Sequence, residues 1–289
     1  MKKCFLLSLL LPLCASTPGI AQKPLDLANP SDNMTAYIKM RGSLDSSEEV
    51  VYYWKGLIYS FIPGERSLPL FEMEAYNIAK TRPVEGGYEM LTREVALYRD
   101  LKTGEYLQKW YNPFIKDSVE VIHVWNDPVN QSFLLKSPRG DWGIPFMDQG
   151  NGRVAMFSDI FLLYPSPLPK AQYPENSRSD QYQAAELFQF FMNKADLDDP
   201  KKKSVYNEVG WTRLSDFLPW MRMADRPGYL VYQCRGYKIM GGAFDKLPEK
   251  LKTYVLGHHP EYATAPKVFT SPNMTSWRYF KKILDEKKK

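Results

Sequence analysis

Val50-Val51-Tyr52-Tyr53-Trp54-Lys55-Gly56-Leu57-Ile58-Tyr59-Ser60-Phe61 is a β-branched and aromatic run, stopped by Pro63-Gly64. Such residues lose little by extending on a pleated surface, and the Pro-Gly pair forces a turn. The same grammar repeats on either side of it. Leu70–Ala79 is followed by a turn at Glu85-Gly86-Gly87. Tyr88–Arg99 and Tyr106–Tyr111 flank Asp100–Gly104, a hairpin loop whose glycine suits a positive φ. Val119–Trp125 ends at Asn126-Asp127-Pro128, and Arg153–Leu163 ends at Pro165 and Pro167. From about residue 35 to 163 the pattern therefore predicts strands joined by short turns, which pair as antiparallel neighbours. A meander of this size is expected to curl into a barrel or half-barrel, because open edges invite aggregation.

Helical spacing enters later. Tyr182, Ala185, Phe188 and Met192 recur at helical intervals within Ser179–Ala195, with Ser179 as its cap. A short helix is expected over Ser215–Met223, limited by Pro219. Leu247–Leu256 carries Pro248 in its first turn, and Ser276–Leu284 places Trp277, Phe280 and Leu284 on one stripe. One further strand, Tyr229–Met240, lies among them. The fold class is α+β: a large antiparallel sheet with several helices in the C-terminal half, forming one β-rich domain over residues 22–289.

Residues 1–21 read as a secretory signal. Lys2 and Lys3 begin it, Phe5–Leu13 is its apolar stretch, and Gly19-Ile20-Ala21 has the small residues of a cleavage site. The expectation is an exported protein, periplasmic or extracellular. Leu11-Pro12-Leu13-Cys14 only loosely matches a lipoprotein signal, since Leu13 is not small. No later stretch approaches the roughly 20 apolar residues of a bilayer span, so no stable membrane insertion is expected. Cleavage would remove Cys4 and Cys14 and leave Cys234, which cannot form an internal disulfide and reads as a small buried hydrophobe.

The formal charge is +5, and much of the excess lies in Lys2-Lys3, Lys201–Lys203 and Lys287–Lys289. None of these runs interleaves with aromatic residues, so no nucleic-acid partner is indicated. There is no Gly-x-Ser-x-Gly elbow, phosphate-cradling glycine loop, dinucleotide fingerprint, His-Glu-x-x-His or Cys-x-x-Cys. With only His123, His258 and His259 available, neither a metal nor a cofactor is expected.

Three ionisable residues interrupt apolar strand faces and are candidate catalytic groups. His123 alternates with Val119, Val121 and Trp125; Asp159 shares a side with Phe157, Phe161 and Leu163; Lys55 shares one with Tyr53, Leu57 and Tyr59. Desolvation in a cavity would tune such groups for acid–base work, whereas a misjudged register would place them in solvent. The aromatic content is 14%, and Trp54, Trp125, Trp211 and Trp220 are candidate ligand-binding residues. Arg213 or Arg222 would meet an anionic group.

Several of these segments together resemble one bacterial family. They are Arg41-Gly42-Ser43-Leu44-Asp45, Tyr52–Tyr59, Tyr98-Arg99-Asp100 with Thr103-Gly104-Glu105, and Trp110-Tyr111-Asn112-Pro113. Trp211-Thr212-Arg213, Pro219-Trp220-Met221 and Arg226-Pro227-Gly228 complete the set. The family is domain of unknown function 1838, and the likeness covers nearly all the chain beyond the signal. It implies one domain and brings no reaction, cofactor or catalytic residue. Two functions therefore stand side by side. One is an exported binding protein holding a small apolar or aromatic molecule. The other is a cofactor-independent lyase, isomerase or hydrolase using His123 with Asp159 or Lys55.

Overall fold

The fold is taken from a computed structural model that describes residues 23–138, 140–242 and 244–287. The signal reading over 1–21 lies outside those residues. In chain order the elements are α1 (Pro30–Arg41), β1 (Glu49–Phe61), β2 (Pro69–Val84), β3 (Gly87–Arg99), β4 (Lys109–Asn112) and β5 (Asp117–Glu120). Then come β6 (Val124–Asn126), β7 (Gln131–Leu134), β8 (Lys136–Ser137), β9 (Gly140–Asp141), β10 (Phe146–Gly150) and β11 (Arg153–Pro165). The last are β12 (Gln181–Asn193), α2 (Lys194–Asp198), β13 (Glu208–Ser215), β14 (Tyr229–Ile239), α3 (Glu249–His258) and α4 (Ser276–Glu286).

Ten strands form one antiparallel sheet in the order β10-β11-β12-β13-β14-β1-β2-β3-β6, with β7 also pairing β3. The fold is thus α+β as expected, but the sheet does not close and is not strongly curled. No ladder joins β10 to β6 or β7 among the described residues, so the expected barrel is not formed. The Asn273–Trp277 segment touches both halves of the sheet. Asn273 exchanges two 2.9 Å hydrogen bonds with the backbone of Asn130, and Trp277 packs 4.6 Å from Tyr182 on β12.

Three sequence expectations are corrected. Ser179–Ala195 is not a helix; it contains β12, paired on both sides with β11 and β13. Its helical spacing was coincidental, and the true alternation (Tyr182, Ala184, Glu186, Phe188, Phe190, Met192) is masked by a glutamate. Ser215–Met223 holds the end of β13 and only a 3₁₀ turn at Pro219–Met221. Residues 30–41, where the strand pattern was expected to begin, form α1. Asn29 caps it by accepting from the Ser31 and Asp32 backbone N–H groups, and Pro30 starts it. Its buried side carries Asn33 and Lys39, which hid the apolar periodicity. Asn33 Nδ2 donates to the Ile144 carbonyl at 2.7 Å, and Lys39 Nζ to the Asp199 carbonyl at 2.8 Å. Between Tyr106 and Trp125 the chain also departs from the main sheet: β4 and β5 pair only with each other.

Register sorts the sheet into two faces, because residues paired across antiparallel strands point the same way. Tyr53, Tyr76, Val95 and Trp125 are successive partners across β1, β2, β3 and β6. This outer face packs beneath α3 with Leu247, Leu251, Val255 and Tyr262. Trp54, Ala75, Ala96 and Val124 form the matching inner row. In the other direction that row runs from Trp54 to Gly236 and Val209. The inner face holds the main core and, in its middle, a cavity.

Candidate functional site

The cavity is about 400 Å³ and takes its walls from α1, β1, β2, β3, β6, β11, β12, β13 and the Asn273–Trp277 segment. One part is aromatic. The Trp54 ring lies 6.1 Å from Phe188 and 6.1 Å from Trp211, and Phe188 and Trp211 stack at 22°. Trp54 Nε1 donates to Asn77 Oδ1 at 2.6 Å, which fixes the indole plane. Glycine at 236 is what allows this pose. A Cβ there would come within 2.8 Å of the Trp54 ring and 2.6 Å of the Tyr53 carbonyl oxygen.

The rest of the wall is polar and ionised. Arg213 lies 3.3 Å from Glu186 and donates to the Tyr182 hydroxyl. Burial works against the Arg213 charge, but Tyr182 and Glu186 outweigh it and hold the guanidinium protonated. Burial keeps the Tyr98, Tyr182 and Tyr232 hydroxyls protonated, and pushes Tyr232 up to about 12. Glu94 accepts from Asn126 Nδ2 at 3.2 Å. Its carboxyl is raised above the usual range by burial, against the stabilising Asn126 bond, with Glu186 adding to the rise. The surface Glu94 retains faces the cavity, so it gains little of the solvation that bulk water would give. Arg41, from the last turn of α1, lies on the same wall.

Of the residues singled out from sequence, Trp54, Trp211 and Arg213 line this cavity. Trp125 and Trp220 do not. Trp125 belongs to the outer-face core, 5.2 Å from Tyr262. Trp220 is core packing, within 5.6 Å of Phe71 and 5.5 Å of Tyr98. Arg222 is bound on the surface to Asp117 and Glu175, each at 2.9 Å.

His123, Asp159 and Lys55 do not come together. His123 is buried near α3, with its Nδ1 accepting from the Tyr98 backbone N–H at 3.1 Å and its ring 5.9 Å from Tyr254. Burial, with His258 nearby, lowers its pKa to about 4, so the ring is neutral. Asp159 is exposed on the outer face and needs no counter-ion. Lys55 is exposed and pairs with Glu72 at 2.5 Å. Register places Asp159 and Lys55 on the face opposite the cavity, whereas His123 precedes β6, outside any ladder, and meets the β3 edge without lining the cavity.

Sequence reading missed Arg41, Glu94, Asn126 and Glu186. Glu94 was legible in principle: it alternates with Thr92, Ala96 and Tyr98 along β3 and is the charged member of an inward row. Arg41 and Glu186 were hidden by the misassigned α1 and β12. Cys234 is buried, with its thiol raised to about 12 by desolvation, which makes it a poor nucleophile. Among the described residues no three His, Cys, Asp or Glu side chains cluster to hold a metal ion, and no helix is long and apolar enough to cross a membrane.

Residues 47–284 match the family described as protein of unknown function DUF1838, and the chain belongs to that family. A comparison with curated proteins finds no match.

Proposed function

We propose that this DUF1838 protein is exported and binds a small molecule with an apolar or aromatic body in the inner-face cavity. The observation that carries the reading is the cavity of about 400 Å³, walled by Trp54, Phe188 and Trp211 and by a few convergent polar groups. A site of this size and lining suits a small ligand, because aromatic walls supply affinity and sparse polar groups supply orientation. Native mass spectrometry of the protein purified from its own host tests it. The expected result is a stoichiometric small passenger, lost in Trp211→Ala. A protein that carries no passenger, and whose melting temperature no aromatic ligand raises, overturns the reading.

One observation favours a second reading, acid–base catalysis on the bound molecule. Glu94 is a partly buried carboxyl on the cavity wall, hydrogen-bonded to Asn126 and raised above the usual carboxylate range by desolvation. A carboxyl raised in this way is suited to take or give a proton. If it does, Glu94→Gln abolishes conversion of the identified passenger while leaving its binding within about threefold, a change below 1 kcal/mol. Unaltered conversion in Glu94→Gln removes that reading. His123 has no place in it, since it does not line the cavity.

A further inference from the structure

We propose that Arg41 is an anion subsite of this cavity, so that the bound molecule is an amphiphile with a carboxylate-like end and an aromatic body. The proposal rests on the binding reading above. Arg41 lies on the cavity wall, flanked by the Tyr52 and Phe190 rings at 5.8 Å and 5.3 Å. Among the described residues it forms no ion pair, and its Nε is buried without a hydrogen-bond acceptor. Its polar neighbours are the Tyr37 hydroxyl, kept neutral by burial, and, beyond ion-pair distance on the same wall, Glu94, whose carboxylate its charge favours. The other arginine of the cavity, Arg213, also has a buried Nε without an acceptor, but its charge is matched by Glu186 and it donates to the Tyr182 hydroxyl. A guanidinium flanked by two rings and one neutral hydroxyl, with no carboxylate in ion-pair contact, retains a demand for an anion.

A role in ending α1 does not account for Arg41. A cation near a helix C-terminus ordinarily serves the last carbonyls. Here those carbonyls are already taken. Lys238 Nζ donates to the Lys39, Met40 and Gly42 carbonyls, and the Tyr52 hydroxyl also reaches the Met40 carbonyl. The Arg41 side chain is therefore not needed at the helix end and is left to the cavity.

A second, independent observation points to a polar ligand. Asn126 lines the cavity, is 6% exposed, and uses its Nδ2 on Glu94. Its Oδ1 is buried with no donor. A buried acceptor of this kind is costly unless something donates to it. A ligand with an anionic end for Arg41, a hydrogen-bond donor for Asn126 and a ring against Trp54 and Trp211 would satisfy all of these groups together.

The test is calorimetric titration with a matched pair of probes, 1-naphthoate and the neutral 1-naphthalenemethanol. Wild type, Arg41→Met and Arg41→Lys are compared. In wild type the acid is expected to bind at least tenfold tighter than the alcohol. Arg41→Met brings the acid down to the alcohol's affinity and leaves the alcohol unchanged; the alcohol's affinity also reports an intact cavity. Arg41→Lys keeps charge but loses the planar fork, and retains a reduced preference. Equal binding of acid and alcohol by wild type overturns the subsite and spares the cavity reading. So does an equal loss of both in Arg41→Met. Should Arg41→Met not fold, the wild-type ratio and Arg41→Lys still decide. Binding of neither probe by wild type overturns the subsite as stated, and the passenger measurement then decides the cavity reading separately.

Discussion

Replacing His123 with asparagine should flatten the acid limb of this protein's stability. His123 is 7% exposed, and burial takes its pKa from the ordinary 6.5 to about 4. The unfolded chain therefore binds more protons than the folded one between those values. Stability rises with pH through that window and is lost as pH falls from 6.5 towards 4. Each pH unit of that window corresponds to about 1.4 kcal/mol, so the whole of it is worth about 3 kcal/mol. Asparagine is chosen because its Oδ1 can still accept from the Tyr98 backbone N–H, which would otherwise be left buried and unpaired. The variant loses ring contacts with Tyr98 and Tyr254 at 5.9 Å, and so is less stable at pH 7 by about 1–2 kcal/mol. Urea unfolding at pH 7, 6, 5 and 4.5 reads the effect as a gap between wild type and variant. On acidification wild type should lose about 2 kcal/mol that the variant keeps, so the gap closes and the variant ends level with wild type or more stable than it at pH 4.5. A gap that stays constant from pH 7 to 4.5 would refute the claim that a neutral, desolvated imidazole sits between β3 and α3. Ligand affinity should be the same in both proteins, because His123 lies outside the cavity.

Two tryptophans separate affinity from stability. Trp125→Ala empties part of the outer core and should cost about 3–5 kcal/mol in urea unfolding without weakening a cavity ligand, whereas Trp211→Ala should weaken that ligand far more than it lowers stability. Equal effects of the two substitutions on ligand affinity would contradict the assignment of faces. Gly236→Ala puts a Cβ within 2.8 Å of the Trp54 ring; overpacking of this kind costs about 1–3 kcal/mol. It should also shift the indole from the cavity wall, which a changed tryptophan emission spectrum and reduced ligand affinity would register.

Much of the fold was legible because strands advertise themselves locally. Val50–Phe61, Leu70–Ala79, Tyr88–Arg99, Arg153–Leu163 and Tyr229–Met240 all fall on observed strands of the main sheet. Pro248 and the Trp277–Phe280–Leu284 stripe likewise marked α3 and α4. The failures have a common cause. Glu186 and Arg213 sit inward on β12 and β13, and Asn33 and Lys39 sit inward on α1. Each is tolerated because a partner on a distant segment satisfies it. Periodicity that scores only apolar residues cannot anticipate such a partner.

Residue identities along the chain thus determined which segments extend, where they turn, and that an aromatic-rich sheet would dominate. They also carried the likeness to a family. Which face each side chain takes was decided only by the tertiary structure. The period of a strand is two, so a single register choice sends Tyr76 and Trp125 beneath α3 and turns Glu94 and Trp54 towards the cavity. Closure was likewise a tertiary matter. Asn130 and Asn273 are distant in the chain, yet their paired hydrogen bonds hold the segment before α4 against the β6–β7 connection. Local preference acts over a few residues, whereas the site depends on which strands meet, and that is settled by the packing of the whole sheet.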